Sequence, residues 1–231
     1  MNEKNKPIVI GVGGLARSGK DTFVKIARKI LKEHGYSSIK LAFADALKEE
    51  IDPFLVQNYG ISAWTDDTEQ KKIIRPFLVA HGCGKRQQTN GQYWIDKLDG
   101  EIEIIKCEEV ILISDCRFPN EVDWVHNKGG WFVHLKKYSM KSNFLELNAL
   151  GMDVSKSEIV KKYDPPPNEE EAIQDPICEK KSDFCLEMEN AIERELRLTG
   201  NKITVDSLID NTYLNNEIKL CLSKCPLLTL E

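Results

Sequence analysis

Lys20 stands in "GGLARSGKDT" (Gly13–Thr22), where Gly14, Gly19 and Lys20 have the spacing of a loop that wraps phosphate. Glycines let successive backbone N–H groups converge on one anion, and the following helix adds the positive end of its dipole. Lys20 would then reach the β- and γ-phosphates as a point charge. Asp21 stands where such loops carry a magnesium-binding hydroxyl. As a carboxylate it either repels phosphate or offers a hard oxygen to the metal, and the loop by itself leaves both open. Thr22 would offer its hydroxyl to the α-phosphate.

Two further stretches hold residue types that serve such a loop. "VILISDCRFPNE" puts Asp115 at the end of an apolar strand, where open α/β sheets have their ligand crevice. A carboxylate there suits a magnesium shell, or else caps the helix that Pro119 starts. Arg117 is a candidate phosphate clamp because its fork of donors matches phosphate oxygens, and Glu121 lies on the same side. "AFADALK" sets Asp45 and Lys48 at the end of another strand, Arg75 and Arg86 bracket "RPFLVAHGCGKR", and "GQYWIDKL" adds Trp94. Singly these are ordinary surface arginines and a core tryptophan; with a phosphate loop they make a second pocket for an anion and a base.

These residues need a scaffold. "IVIGVGG" (Ile8–Gly14) is a β-branched run ending in glycines, as a buried parallel strand is. Phe23, Ile26, Ala27, Ile30 and Leu31 recur at helical spacing up to Gly35, a C-cap. Strands are expected at Ile39–Asp45, Val110–Asp115, Trp131–Lys137 and Lys202–Asn211. Helices are expected from Ala46 towards Asn58, over Asp66–Ala80 with Gly82 and Gly84 closing it, after Pro119, and over Leu214–Leu222. The alternation implies an α/β fold with a five-stranded parallel sheet covered on both faces. Between the last two strands, Tyr138–Asn201 reads as an insertion or lid, with the acidic "DPPPNEEEAIQDP" and an amphipathic helix around Phe184–Leu198.

Composition bounds the rest. At 231 residues the chain suits a single domain with an insertion. The net charge of −5 argues against broad nucleic-acid or anionic-membrane binding. No apolar run approaches the roughly 20 residues of a membrane span, and the glycine-broken start does not suit a cleaved signal. Seven cysteines without a C-x-x-C pair point to reduced thiols in a cytoplasmic protein, not to zinc or disulfides.

In order and spacing, "GLARSGKDT", "AFADALK", Arg75–Arg86, "YWIDKL" and "ISDCRFPNE" resemble the bacteriophage deoxynucleoside monophosphate kinases over roughly the first 137 residues. "SKSEI" and "SLIDNTYLNNEI", which holds Asn211, are similar more loosely. A loop of the form A-R-S-G-K-D-T is common in that family, so Asp21 is no departure; the acidic Asp164–Asp183 segment is one. The resemblance implies a P-loop kinase fold with an inserted helical lid. It also implies ATP and Mg2+ as cofactors, a deoxynucleoside monophosphate as the small-molecule partner, and no nucleic-acid or membrane partner. Homodimers are the commonest assembly for such enzymes. Gly14, Ala16, Arg17, Ser18, Gly19, Lys20, Asp21, Thr22 and Asn211 would hold ATP. Asp21, Thr22 and Asp115 would hold the metal, and Asp45, Lys48, Arg75, Arg86, Trp94, Arg117 and Glu121 the acceptor. Lys20, Arg17, Asp115 and Arg117 would act on the transferring group.

Other readings carry distinct marks. A kinase of the dephospho-coenzyme A type would share the loop and the strand-end carboxylates. A GTPase would need N-K-x-D, and "NKIT" (Asn201–Thr204) lacks its aspartate. A non-catalytic nucleotide-binding module would not depend on the acceptor-side residues.

Overall fold

The computed structural model describes residues 6–105, 109–142, 149–151, 153, 159–190 and 211–230. The chain runs β1 (Ile8–Gly13), α1 (Lys20–Glu33), β2 (Ser37–Leu41), α2 (Phe43–Tyr59), α3 (Thr68–Gln88), α4 (Tyr93–Ile102), β3 (Glu109–Cys116), α5 (Pro119–Asn127) and β4 (Trp131–Ser142). It continues through β5 (Ile159–Tyr163), α6 (Glu169–Lys180), β6 (Phe184–Glu189) and α7 (Thr212–Ser223).

Five strands lie parallel in the order β2–β3–β1–β4–β6, and β5 pairs antiparallel with the end of β4. The sheet is therefore six-stranded and mixed among the described residues, not purely parallel and five-stranded. Its fifth parallel strand is β6, within the stretch expected to be an amphipathic helix. The reason is period two: Leu186 and Met188 are buried while Cys185 is exposed and Glu187 and Glu189 stay at the surface. The strand expected at Lys202–Asn211 lies outside the described residues except for Asn211, the N-cap of α7.

Both faces of the sheet are covered. Ile10, Val12, Leu112, Val133 and Leu135 pack on Phe23, Ile26 and Leu31 of α1 and on Ile218 and Leu222 of α7. Val9, Ile111, Ile113 and Phe132 turn to the opposite face, against Trp94 and Leu98 of α4 and Val122 and Val125 of α5. A smaller cluster, Ile51, Leu55, Ile61 and Ile74, joins α2 to α3.

α3 runs six residues past the expected Gly82 to Gln88. Gly82 is a contact surface, not a stop: Leu47 packs against it, and its carbonyl accepts the Trp94 indole N–H at 3.2 Å. That keeps Arg86 on the helix. Likewise β2 ends at Leu41, so Asp45 sits in the first turn of α2 instead of at a strand end.

Candidate phosphate loop and acceptor cavity

β1 lies between β3 and β4, so the chain leaves it towards one side of the sheet and leaves β3 towards the other. The crevice at such a switch point is where open α/β sheets bind ligands, and the loop Gly14–Gly19 sits there. Gly14 has φ +122°, and a Cβ on it would fall 2.3 Å from the Leu135 carbonyl oxygen; only glycine fits. Ser18 N–H donates to the Leu15 carbonyl at 3.1 Å, and Arg17 is held at φ +66°, a conformation L side chains rarely adopt. Gly19, also left-handed, caps α1 without a side-chain bond. The first N–H groups of α1 therefore have no intrahelical partner, which is the donor set an anion needs.

Lys20 curls back over this loop. Its Nζ donates to the carbonyls of Gly14 at 2.6 Å and Leu15 at 2.7 Å. The residue is only 9% exposed. Burial, with Arg117 adding repulsion, lowers its pKa to about 8. Such a lysine gains from a phosphate, which restores a counter-charge.

Asp115, the penultimate residue of β3, is half-buried, and its two oxygens accept the N–H groups of Phe43 at 2.9 Å and Ala44 at 2.9 Å. It thus caps α2, not the α5 that follows it. Removal from water pushes its pKa up, with those N–H groups opposing. The cap of α5 is Glu121, whose Oε2 accepts the N–H of Arg117 at 2.8 Å and of Phe118 at 3.1 Å. Its other oxygen pairs with Arg86 at 2.9 Å, and Arg86 also lies 3.3 Å over the Phe118 ring and donates to Asn120. Burial raises the Glu121 pKa to about 7.

A cavity of about 720 Å³ opens from the loop across α2, α3 and α4. Its walls include Ala16 and Arg17 of the loop, Asp115 near the end of β3 and Arg117 just past it, and Lys48, Arg75, Arg86, Trp94 and Glu121. Six of the seven residues assigned to the acceptor side meet in this one space. The seventh, Asp45, is not on its wall and faces Lys48 at 3.6 Å. The sequence reading missed Trp64, under the Lys48 ammonium at 4.5 Å, and Lys71. A lone tryptophan in the polar "AWTDDT" loop was the available signal.

Asp21 is largely exposed and pairs with Lys40 of β2 at 2.8 Å. Among the described residues, no group of three or more His, Cys, Asp or Glu side chains could hold a metal by itself. A Mg2+ shared with phosphates takes most of its ligands from them and from water; Asp115, with a lone pair left on each oxygen, fits that minor share. Asn211 accepts the Leu214 N–H at 3.1 Å as the cap of α7. No helix among the described residues is long and apolar enough to cross a membrane.

No protein-family model matches the chain, and no curated protein matches it in sequence. Among solved structures, the APS kinase CysC of Mycobacterium tuberculosis, in complex with AMPPNP and APS, aligns at 12% identity over 92% of this chain and 99% of that one, with a TM-score of 0.34. A gluconokinase from Sinorhizobium meliloti 1021 aligns at 13% identity over 95% and 96%, TM-score 0.34. A structure of the PezAT toxin–antitoxin system of Streptococcus pneumoniae aligns at 14% identity over 95% and 88%, TM-score 0.34. Likenesses this distant carry no weight beside the chain's own geometry.

Proposed function

We propose that this chain is a P-loop kinase that transfers the γ-phosphoryl group of ATP to the 5′-phosphate of a deoxynucleoside monophosphate. The observation that carries the reading is the single cavity in which the phosphate loop, Asp115 and Arg117 meet Lys48, Arg75, Arg86 and Trp94. One end is the loop at Ala16 and Arg17, and Lys20, held on the Gly14 and Leu15 carbonyls of the same loop, would turn to a polyphosphate bound there. The other offers three cations and aromatic surface, which suit a phosphate and a base.

In the reaction an acceptor phosphate oxygen attacks the γ-phosphorus, the bond from that phosphorus to the β–γ bridging oxygen breaks, and ADP leaves. The second pKa of a phosphomonoester is about 6, so the nucleophile is already ionised at neutral pH and needs no strong base. Catalysis then rests on alignment and charge stabilisation. Lys20 and Arg17 act from the loop and Arg117 from the facing strand end. Thr22, Asp21 and Asp115 would hold the Mg2+ that accompanies ATP, which when bound neutralises phosphate charge. Glu121 holds Arg86 in place for the acceptor, and Trp94 walls its base. Asp45 acts on the acceptor indirectly, through Lys48.

The test is a coupled ADP-release assay across all deoxy- and ribonucleoside monophosphates. Turnover with deoxy acceptors above their ribo counterparts is expected. Equal rates would make the protein a general nucleotide kinase, and ADP release only with an unrelated acceptor such as dephospho-coenzyme A would replace the assignment.

A further inference from the structure

The acidic "DPPPNEEEAIQDP" stretch is unused by the chemistry above, yet its helix reaches the phosphate loop. Asn168 caps α6 by accepting the Glu171 N–H at 2.8 Å, a bond that leaves the Glu171 carboxylate unneeded for capping. That carboxylate is only 12% exposed. Its Oε2 accepts the Ala16 N–H of the phosphate loop at 2.7 Å, across 155 positions of sequence. Its Oε1 faces Arg117 at 3.5 Å and accepts from the Asn168 amide at 3.2 Å. Both contacts beyond α6 go to groups assigned above to phosphate.

The helix is seated to keep it there. Glu171, Asp175 and Glu179 recur every four residues and so share one face. Asp175 pairs with the buried His134 at 2.9 Å, and Glu179 with Lys136 at 2.8 Å, both on β4. Cys178, between them, is buried against the β3–α5 side of the core. A phosphate oxygen and the Glu171 carboxylate cannot both take the Ala16 N–H, and two anions at that spacing repel.

We propose that α6 is an autoinhibitory latch: Glu171 holds an anion position of the phosphate loop, and nucleotide must expel it to bind. The latch rests on the nucleotide-binding reading of that loop. Its expulsion releases Arg117 from its carboxylate partner at the moment the arginine is needed by the transferring phosphate. Affinity is then the intrinsic affinity multiplied by the fraction of molecules with the latch open.

The experiment titrates a fluorescent, non-hydrolysable ATP analogue into the full chain as wild type, Glu171→Gln, Asp175→Asn and Glu169→Gln. Glu171→Gln keeps the shape of the side chain and removes its charge; Asp175→Asn loosens the seat of α6 on β4. Both should bind the analogue more tightly, Glu171→Gln by about tenfold if the latch is closed in nine molecules of ten, with faster association. Glu169→Gln, an exposed charge on the same turn, should match wild type. Equal or weaker binding by Glu171→Gln, or equal tightening by Glu169→Gln, overturns the latch and leaves the nucleotide reading standing. Absence of binding by all four proteins overturns the nucleotide reading and the latch with it.

Discussion

Lys20 is a buried ammonium that donates to two carbonyl oxygens of its own loop, and its pKa of about 8 makes it sensitive to mildly alkaline pH. The sign follows from linkage. In free protein Lys20 loses its proton as pH rises through about 8, whereas a phosphate beside it favours the ammonium form. Above that pH, nucleotide binding must take up a proton. The Kd of an ATP analogue is therefore expected to be flat from pH 6 to 7.5 and to rise towards about tenfold per unit beyond 8. Calorimetry in buffers of different ionisation enthalpy would show the uptake; a flat profile to pH 9.5 would remove Lys20 from the phosphate site. Lys20→Ala should lower phosphoryl transfer by about a hundredfold or more while circular dichroism stays unchanged.

At the scale of elements, α3, β3 and α5 are joined through one carboxylate. Glu121 is 3% exposed and satisfies two N–H groups at the start of α5 together with Arg86 of α3. Removing it leaves a partly buried guanidinium without its counter-charge and two N–H donors unpaired, so Glu121→Ala should lose about 3–5 kcal/mol of stability, read from denaturant midpoints. Its folded pKa of about 7 lies above the unfolded value. Stability from this group is therefore full below about pH 4.5 and is lost as pH rises through 7. Glu121→Gln should flatten that slope between pH 5 and 8; an unchanged slope would assign the pH dependence to other groups. The same element logic bears on the acceptor-phosphate role proposed for Arg86. Glu121, Phe118 and Asn120 fix the guanidinium before any ligand arrives, so little side-chain entropy is lost on binding.

For the whole molecule, the consequence is a site divided between parts that do not touch in sequence. The Gly14–Gly19 loop is set by β1 and α1, the strand-end pair Asp115 and Arg117 by β3, and the proposed acceptor wall by α2, α3 and α4. An ATP analogue at a hundred times its Kd adds about 2.7 kcal/mol to the folded state, which raises Tm by roughly 5–10 °C for a chain of this size. A deoxynucleoside monophosphate should add its own increment in the same thermal scan. Failure of either to shift Tm at saturating concentration would show that the cavity does not take that ligand. The loop was legible in the sequence because its demands are local: Gly14 and Gly19 are set by backbone conformation and Lys20 by spacing, and all act within ten residues. The central strands were legible because burial on both faces leaves continuous apolar runs such as "VILIS". What the sequence could not show was which polar group each carboxylate meets. Asp115 read first as a metal ligand and second as the cap of α5, whereas the N–H groups of Phe43 and Ala44 that it accepts reach it only once β3 is laid beside β2. Phe184–Glu189 was misread because a short alternating run takes its conformation from the sheet edge that pairs it. The acidic run at Glu169–Glu171 read only as part of an insertion or lid, because charge alone has no address. Only the packing of α6 on β4 carries Glu171 to the Ala16 N–H. Local backbone chemistry is written in neighbouring residues, whereas the partner of a side chain is chosen by contacts between segments far apart in the chain.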